Sequence, residues 1–340
     1  MEAPTRSILI YFNGHYDIYR GKFLNAAIKY LPECVKGIIC YHPEDSLMDL
    51  CNSHALPLYQ SITDVQENVN EILIGLLDFH IDAENIARFQ QLAKYCCHKN
   101  ITLVNGTFNF LSELFPEYEK NIVDLRKNAH IRRPTYMSNR LKEKKDQLRI
   151  LTCGMDSNIG KMTASLEVEK HLVARGYDVS FFPTGQIGMY LKGYGFCVDA
   201  TIVDFTRGII DEEISKINSD ILIIEGQGSI NHPEFFGAAL SLLYGSQPQR
   251  LLFCGNFAFN HIRTNPDILL PDMQQMIARI ENTSHDYGHH AKVKAISMIT
   301  QGLEIDDAMK KLQAIEQKTL LPVDDIVRFQ SEKLALSLIN

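Results

Sequence analysis

The residues of this chain that could do chemistry are concentrated between positions 148 and 175. There an apolar, β-rich run, Leu148 to Cys153, leads into a loop bounded by two glycines and then into a helical pattern that begins near Gly160. A strand, a glycine loop and a helix in this order form a phosphate-binding P-loop. Backbone N–H groups at such a helix start lack intrahelical partners, and the helix dipole adds positive charge. Because Lys161 adds a full charge, we predict an anion-binding loop.

Two features of this loop depart from the commonest P-loop. Five residues separate Gly154 from Gly160, where the usual motif has four. Met162 stands where a Ser or Thr hydroxyl normally holds Mg²⁺, and a thioether is a poor ligand for that hard cation. Thr163 would need a shifted helix start to replace the hydroxyl. We predict that the phosphate-bearing ligand contacts Gly154, Asp156, Ser157, Asn158, Ile159, Gly160, Lys161, Met162 and Thr163.

Two carboxylates follow apolar runs later in the chain. Asp204 lies near the end of ATIVDF, residues 200–205, which we predict to be a strand, and Glu225 directly follows the run ILII. In an open parallel sheet the loops at the carboxyl ends of the strands form one crevice, so both side chains should converge on the glycine loop. If the ligand is ATP, these carboxylates are suited to holding Mg²⁺. The alternative is that each caps a helix or carries a solvated loop charge.

His232 lies in the glycine-rich turn that follows Glu225. An imidazole with an ordinary pKa of about 6.5 accepts a proton near neutral pH, so we predict His232 as the catalytic base and Glu225 as the second choice. A purely structural histidine remains the alternative. The N–H groups of Gly226 to Ser229 could stabilise an oxyanion.

Further polar residues at the same predicted edge could bind a substrate. His261 and Arg263, in NHIRTNP, and Arg207 offer cations suited to a carboxylate. The predicted substrate contacts are Gln186, Arg207, Gly228, Ser229, His261 and Arg263. By spacing alone the histidines near the end of the chain make a weak metal site, and we expect them to be solvated: His285, His289 and His290.

Length and composition limit the class of protein. The 340 residues fit two domains, and the net charge of −7 argues against non-specific nucleic-acid binding. Eight cysteines show no metal-ligand spacing, and no signal peptide is recognised. No apolar run approaches the ~18 residues of a membrane span. We expect a cytoplasmic protein with free thiols, without nucleic-acid or membrane partners, that forms a homo-oligomer as related P-loop enzymes often do.

Alternating strands and helices precede the loop and predict a Rossmann-like domain with a parallel sheet. Strands are predicted at 7–12, 35–41, 71–77 and 101–105, and helices up to Tyr30 and at 45–55, 62–70 and 83–98. The fingerprint G-x-G-x-x-G is absent after the first strand, so we expect no bound NAD. Lys22, Asn105 and Gly106 lie at strand ends, where they could contact a ligand or simply form turns.

A second, larger α/β domain with a mainly parallel sheet is predicted from Leu148 onward. Further strands are predicted at 178–182, 200–205, 220–225, 250–256 and 293–300, and helices at 208–218, 272–282 and 304–318. The polar stretch before it predicts a linker. The predicted organisation is therefore a Rossmann-like domain at 1–134, a linker at 135–147 and a P-loop domain at 148–340.

Together, these motifs resemble a known family. GMDSNIGKMT, PTGQIG, VDF, IIEGQGSINHP and HIRTNPD occur in this order in two-domain proteins once classed only as having unknown function. The best described members are D-glutamate N-acetyltransferases, which transfer acetyl from acetyl-CoA to a D-amino acid. The resemblance covers nearly the whole chain, strongly from 148 to 330 and more loosely before 135. It implies a Rossmann-like domain, a P-loop domain, acetyl-CoA as co-substrate and an amino acid as acceptor.

A second likeness points to a different reaction. The five-residue spacing and the run Glu225-Gly226-Gln227-Gly228 are similar to dethiobiotin synthetase and the cobyrinic acid amide synthetases, which use ATP to activate a carboxylate or carbamate. Met162 departs from their pattern, whereas Asp204 and Glu225 fit it. The preferred hypothesis is an N-acetyltransferase. The alternatives are a ligase or kinase that depends on ATP and Mg²⁺, and a nucleotide-binding regulator without turnover.

Overall fold

The structure is a computed structural model that describes residues 6–12, 16–17, 20–75, 83–131 and 140–340. The chain divides into two compact units. The first contains Met1–Ile131 and Met189–Gly193, and the second contains Arg132–Gly188 and Tyr194–Asn340. Among the described residues, no helix combines the length and the apolar composition that a membrane crossing requires.

The first unit is built on a six-stranded sheet in which every strand pair is parallel. Its elements in chain order are β1 Ile8–Tyr11, α1 Lys22–Tyr30, β2 Val35–Ile39, α2 Asp45–Ser53, β3 Leu58–Tyr59, β4 Glu71–Ile74, α3 Ala83–Lys99, β5 Thr102–Asn105, α4 Leu111–Leu114, β6 Ile122–Asp124 and α5 Lys127–Ile131. The strand order is β3-β2-β1-β4-β5-β6. Strands buried on both faces explain the continuous aliphatic runs, such as the fully buried β1.

The second unit carries another six-stranded parallel sheet, with the order β14-β13-β10-β7-β9-β8. The elements after residue 140 are β7 Leu148–Gly154, α6 Lys161–Ala174, β8 Val179–Phe182, α7 Gln186–Lys192, α8 Val203–Ser215, β9 Ile221–Ile224, α9 Phe236–Ser246, β10 Arg250–Asn256, β11 His261–Ile262, β12 Asn265–Leu269, α10 Met273–Asp286, β13 Lys292–Ile299, α11 Ile305–Thr319, β14 Val323–Asp324 and α12 Lys333–Ile339. β7 lies at the centre of the sheet between β10 and β9. The predicted fold class, a Rossmann-like unit followed by a larger P-loop unit, is confirmed.

Two predicted elements are wrong. The stretch 200–205 is not a strand, because a short 3-10 turn at Val198–Ala200 leads directly into α8. A run this short and rich in β-branched residues cannot be assigned by periodicity alone, and Val203 in it is 60% exposed. The predicted helix at 62–70 is a single 3-10 turn, Ile62–Asp64, after which Val65 is extended.

The predicted linker at 135–147 is only partly within the described residues, since 135–139 lie outside them. Arg140–Glu143 forms a 3-10 turn. The backbone N–H groups of Arg140 and Leu141 donate to the buried carboxylate of Asp211, at 2.9 and 3.3 Å. This part of the stretch is therefore anchored to α8. Of the strand predicted at 71–77, residues 76 and 77 also lie outside the described residues.

Candidate active site

The loop after β7 has the geometry that the sequence predicts for an anion site. β7 ends at Gly154, and α6 begins at Lys161 after Gly160, whose φ of +82° is a left-handed conformation that favours glycine. The loop between them therefore directs the N-terminus of a 14-residue helix toward the carboxyl edge of the sheet.

Lys161 is the cation of this loop, and its side chain is almost completely buried. Its Nζ donates one of its three protons to the carbonyl oxygen of Asp156, at 2.7 Å. Burial lowers the pKa of Lys161, and nearby acidic groups, among them Asp156 and Glu225, act in the opposite direction. The charge is thus held inside the loop at a defined position.

The remaining loop residues differ in what they can offer a ligand. The Ser157 Oγ is buried and has no hydrogen-bond partner among the described residues, so it is a candidate donor to an anion. Asn158 is exposed with a φ of 55°, whereas Ile159 is 1% exposed and leaves only its backbone for binding. Met162 and Thr163 are half-buried in the first turn of α6.

Asp156 is fully buried, and its carboxylate is used inside the protein. Oδ1 accepts the N–H of Ser157 at 2.6 Å, and Oδ2 accepts the N–H of Arg263 at 2.9 Å. The His232 Nε2 lies 3.7 Å from Oδ1. Asp156 therefore ties the glycine loop to the turn between β11 and β12. Both carboxylate oxygens are thus used within the protein, whereas the sequence predicted Asp156 as a ligand contact.

The hydrogen bonds of His232 argue against its predicted role as the general base. The ring is 1% exposed, and its Nδ1 accepts the N–H groups of Glu234 and Phe235 at 3.1 and 3.2 Å. The proton must then reside on Nε2, which lies 3.0 Å from the Thr264 hydroxyl. The lone pair of this tautomer is on Nδ1, where the two N–H groups occupy it, so it is not available to a substrate proton. The ring also stacks on Phe235, with centroids 4.3 Å apart, so His232 fixes the turn around it.

Glu225 directly follows β9, the strand next to β7, and its side chain is 4% exposed. Its Oε2 accepts the N–H groups of Thr184 and Gly185, at 2.9 and 3.2 Å. Burial raises the pKa of Glu225 to about 7, although these two N–H groups and Lys161 oppose the shift. A carboxylate that titrates near neutral pH is suited to general acid–base chemistry.

The glycine turn after Glu225 is joined to β7 by two side chains. The Thr152 Oγ1 accepts the N–H of Gly226 at 2.8 Å, and the Ser229 Oγ donates to the Gly154 carbonyl at 2.7 Å. A Cβ at Gly226 would lie only 1.7 Å from the Thr152 carbonyl oxygen, so this close approach requires glycine. Because the Gly226 N–H is already used, it is not available to an oxyanion, contrary to the prediction.

The other predicted substrate contacts are divided between two places. Gln186 is buried at the start of α7, directly after the Thr184-Gly185 pair that binds Glu225. His261 is half-exposed in β11, and Arg263 follows in the turn that binds Asp156. Arg207 instead lies on α8, where its carbonyl oxygen would be 2.9 Å from a Cβ at Gly245, near the end of α9. Burial lowers the pKa of His289, just before β13, and Arg207 adds to this shift. The end of α9 and the start of β13 are toward the amino edge of the sheet, so these neighbours do not support the placement predicted for Arg207.

Of the two carboxylates predicted to hold a metal ion, Asp204 and Glu225, the first does not lie where the prediction placed it. Asp204 is exposed in the first turn of α8 and does not end a strand. Within the described ranges, no group of three or more His, Cys, Asp or Glu residues is arranged to hold a metal ion. The rings of His285 and His290 contact each other edge to face, with centroids 4.7 Å apart.

The residues that the sequence predicted at the strand ends of the first unit have structural roles. Asn105 is fully buried, and its amide nitrogen donates to the Asp124 carboxylate at 2.6 Å and to the Asn109 carbonyl at 2.7 Å. Its Oδ1 accepts the N–H of Thr107 at 3.0 Å. Asn105 is therefore a turn residue. A Cβ at Gly106 would lie 2.4 Å from the Phe23 ring, and Lys22 is the first residue of α1.

Three threonines of the site have no counterpart among the predicted residues: Thr152, Thr184 and Thr264. Each is a threonine whose hydroxyl or N–H holds another loop. Thr184 could have been found, because it precedes two glycines in PTGQIG and such segments form close backbone contacts. Thr152 and Thr264 carry no local signal, since their partners are distant in sequence.

Comparison with known proteins places the chain in a family. The "Domain of unknown function (DUF1611_C) P-loop domain" matches residues 136–335. A D-glutamate N-acetyltransferase from Pseudoalteromonas sp. is 31% identical over 228 residues, 65% of each chain. One from Tritonibacter scottomollicae is 32% identical over 188 residues, 55% of this chain and 56% of that protein. Both matches therefore span less than two thirds of the relative's length.

A solved structure agrees with the family match over nearly the full length. The crystal structure of a DUF1611 family protein from Anabaena variabilis, at 2.30 Å resolution, superimposes with a TM-score of 0.85 and 26% identity. The superposition covers 98% of this chain and 99% of that one. With its P-loop, its two parallel sheets and a family match over more than half its length, this chain belongs to the DUF1611 family.

Proposed function

We propose that this chain is an N-acetyltransferase that transfers an acetyl group from acetyl-CoA to the amino group of an amino acid, with a D-amino acid such as D-glutamate as acceptor. The observation that carries the proposal is the buried Glu225, which has a pKa of about 7 and lies within electrostatic range of the loop lysine, Lys161. A base and an anion site side by side are what this reaction requires. The names of the two relatives support the same reaction.

The glycine loop would hold the donor by its phosphates. The N–H groups at the start of α6 and the charge of Lys161 offer an anion site, and the Ser157 hydroxyl adds a donor that has no other described partner. Met162 supplies no hard ligand at the position where phosphoryl-transfer enzymes bind Mg²⁺. Binding phosphates without breaking a phosphate bond is compatible with that substitution.

The acceptor would lose its proton to Glu225. An amino acid arrives as an ammonium ion, which cannot attack a thioester until it is deprotonated. Glu225 takes this proton and passes it to solvent. The amine nitrogen then forms a bond to the acetyl carbon and gives a second proton to Glu225. The carbon–sulfur bond breaks, and Glu225 returns that second proton to the departing thiolate, which leaves as CoA. Arg263, in the turn above Asp156, is the candidate partner for the acceptor carboxylate.

The second candidate is a ligase that uses ATP and Mg²⁺. The position of Glu225 at the end of the strand beside the P-loop favours it, because carboxylates in that position often hold Mg²⁺. Asp204, the other predicted ligand, lies in an exposed helical turn and not at a strand end. The acetyltransferase therefore accounts for more of the site.

Acetyl transfer is tested by incubating the purified chain with acetyl-CoA and D-glutamate. The proposal predicts N-acetyl-D-glutamate and free CoA in equal amounts, measured by mass spectrometry and a thiol reagent, and little change on addition of EDTA. Formation of ADP from ATP in place of acetyl transfer, lost with EDTA and restored by Mg²⁺, would support the ligase.

The role of the loop is tested with Lys161→Ala. We expect CoA affinity to fall by about 1.5–3 kcal/mol, the value of a charge-assisted hydrogen bond, in isothermal titration. The matched control is Lys170→Ala on the same helix, whose side chain is 65% exposed. Equal CoA affinity in both variants, with folding intact by circular dichroism, would contradict the anion-site assignment.

A further inference from the structure

The carboxylate of Glu225 is enclosed by one short segment of the chain. Thr184 and Gly185, between β8 and α7, donate their N–H groups to Oε2 at 2.9 and 3.2 Å. The Thr184 hydroxyl also donates to the Glu225 carbonyl at 2.8 Å and accepts from the Gln227 amide at 3.2 Å. The segment therefore binds the side chain and the main chain of Glu225 at once.

Gly188 completes this enclosure from the first turns of α7. A Cβ at this position would lie 2.9 Å from the Glu225 Oε2 and 2.7 Å from the Pro183 Cβ. Alanine is the better helix former by roughly 1 kcal/mol, so a glycine inside a helix needs a reason. Here the reason is space for Pro183 and for the carboxylate.

We propose that Thr184, Gly185 and Gly188, which we call the carboxylate cradle, are positioning residues that fix Oε2 of Glu225 and leave Oε1 as the atom that exchanges a proton with the acceptor. This inference rests on the proposed function. It places the acceptor amine on the Oε1 side of the carboxylate, next to Gly185, where a Cβ would lie 3.5 Å from Oε1. The two N–H groups occupy the lone pairs of Oε2, whereas Oε1 keeps its own for the incoming proton.

The charged groups around the carboxylate cradle act on the pKa of Glu225 in opposite directions. Lys161 faces Glu225 from α6 and favours the ionised form, whereas Asp199, from the 3-10 turn Val198–Ala200, disfavours it. The cradle N–H groups also favour the ionised form. If the carboxylate is displaced from these N–H groups, its pKa must rise, because fewer hydrogen bonds then oppose the effect of burial on the charged form.

The test is an infrared titration of the carboxyl group in the whole protein. The Glu225 band is identified as the one absent from Glu225→Gln, and we expect half-protonation near pH 7 in the wild type. Gly188→Ala should move the midpoint upward by about one pH unit, a tenfold change in the proton equilibrium, and should move the acid limb of kcat/KM in parallel. Thr184→Val, which removes the bond to the Glu225 carbonyl, should move both in the same direction by less, and Thr184→Ser should restore the wild-type values.

Gly237→Ala is the matched control, because it also adds a methyl group in a helix, where the one described side chain within 4 Å is Val203, at 3.7 Å. It should leave the midpoint and the rate unchanged. If Gly188→Ala and Thr184→Val both fold and titrate like the wild type, the cradle proposal is overturned. If the midpoints shift as expected but no amino acid is acetylated, the positions of the groups stand and the proposed acetyl transfer fails.

Discussion

Two buried carboxylates lie at the carboxyl edge of the sheet in the second unit, and they differ in how many of their oxygens accept hydrogen bonds. Asp156, in the loop after β7, has both oxygens bound by backbone N–H groups of two loops. Glu225, after the neighbouring β9, has one oxygen bound by two N–H groups, and its pKa is raised to about 7. A carboxylate whose two oxygens both accept hydrogen bonds from different loops joins those loops. A carboxylate with one oxygen that accepts no hydrogen bond can exchange a proton there. The two carboxylates therefore differ in the hydrogen bonds on each oxygen, and on this difference we base the proposal that Asp156 is structural and Glu225 catalytic.

The largest effect should come from removing the carboxylate that is available for chemistry. Glu225→Gln keeps the shape but cannot accept a proton, so we expect kcat for acetyl transfer to fall by ~10²–10⁴-fold, as for loss of a positioned base. CoA affinity should change by a few-fold at most, since the proposed phosphate site is the glycine loop and not Glu225. Glu234→Gln, at an exposed position nine residues later, is the matched control and should keep full activity.

The same variant should be more stable than the wild type, and the gain should depend on pH. The pKa of Glu225 rises from 4.5 to about 7 on folding, so its protonated form is favoured in the folded state. That contribution is complete below pH 4.5 and is lost as the pH rises to about 7. The stability advantage of Glu225→Gln should therefore grow by about 3 kcal/mol across this window in urea unfolding. If the difference in unfolding free energy between the two proteins does not change with pH, the carboxyl group of Glu225 is not buried as described.

The next effect should come from the carboxylate that joins the loops. Asp156→Ala leaves the N–H groups of Ser157 and Arg263 without their acceptor, and we expect a loss of about 2–4 kcal/mol of unfolding free energy. The control, Asp307→Ala, removes an exposed carboxylate that lies 3.9 Å from Lys310, and it should change stability by less than about 0.5 kcal/mol. Similar stability losses in the two variants would contradict the joining role of Asp156.

The sequence predicted the fold far better than the roles of the site residues. Strand–loop–helix order placed the glycine loop, and continuous aliphatic runs placed β1, β7, β9 and β10, because burial on both faces of a parallel sheet leaves that signature. The stretch 200–205 failed because a short apolar run fits a strand and a helix start equally well. The type of a residue and its place at the end of a strand therefore predict where the residue lies in the fold. They do not predict which hydrogen bonds it makes.

His232 illustrates that limit. Its residue type and its place after Glu225 both predicted a base, yet two backbone N–H groups occupy its Nδ1. Those contacts depend on the path of the turn up to Phe235, which no spacing rule reveals. Arg207 shows the same limit on a larger scale, because the path of α8 through the fold decides which other elements lie near it.

The measurement that tests the central claim most directly is the pH dependence of kcat/KM in the wild type and in His232→Asn. Asparagine retains an oxygen that can accept the N–H groups of Glu234 and Phe235, but it cannot act as a base near neutral pH. If Glu225 takes the proton, both proteins should show an acid limb with a midpoint near pH 7, and their kcat values should agree within a few-fold. Loss of that limb in a folded His232→Asn, together with a fall in kcat of ~10²-fold or more, would assign the proton to His232 and contradict the account.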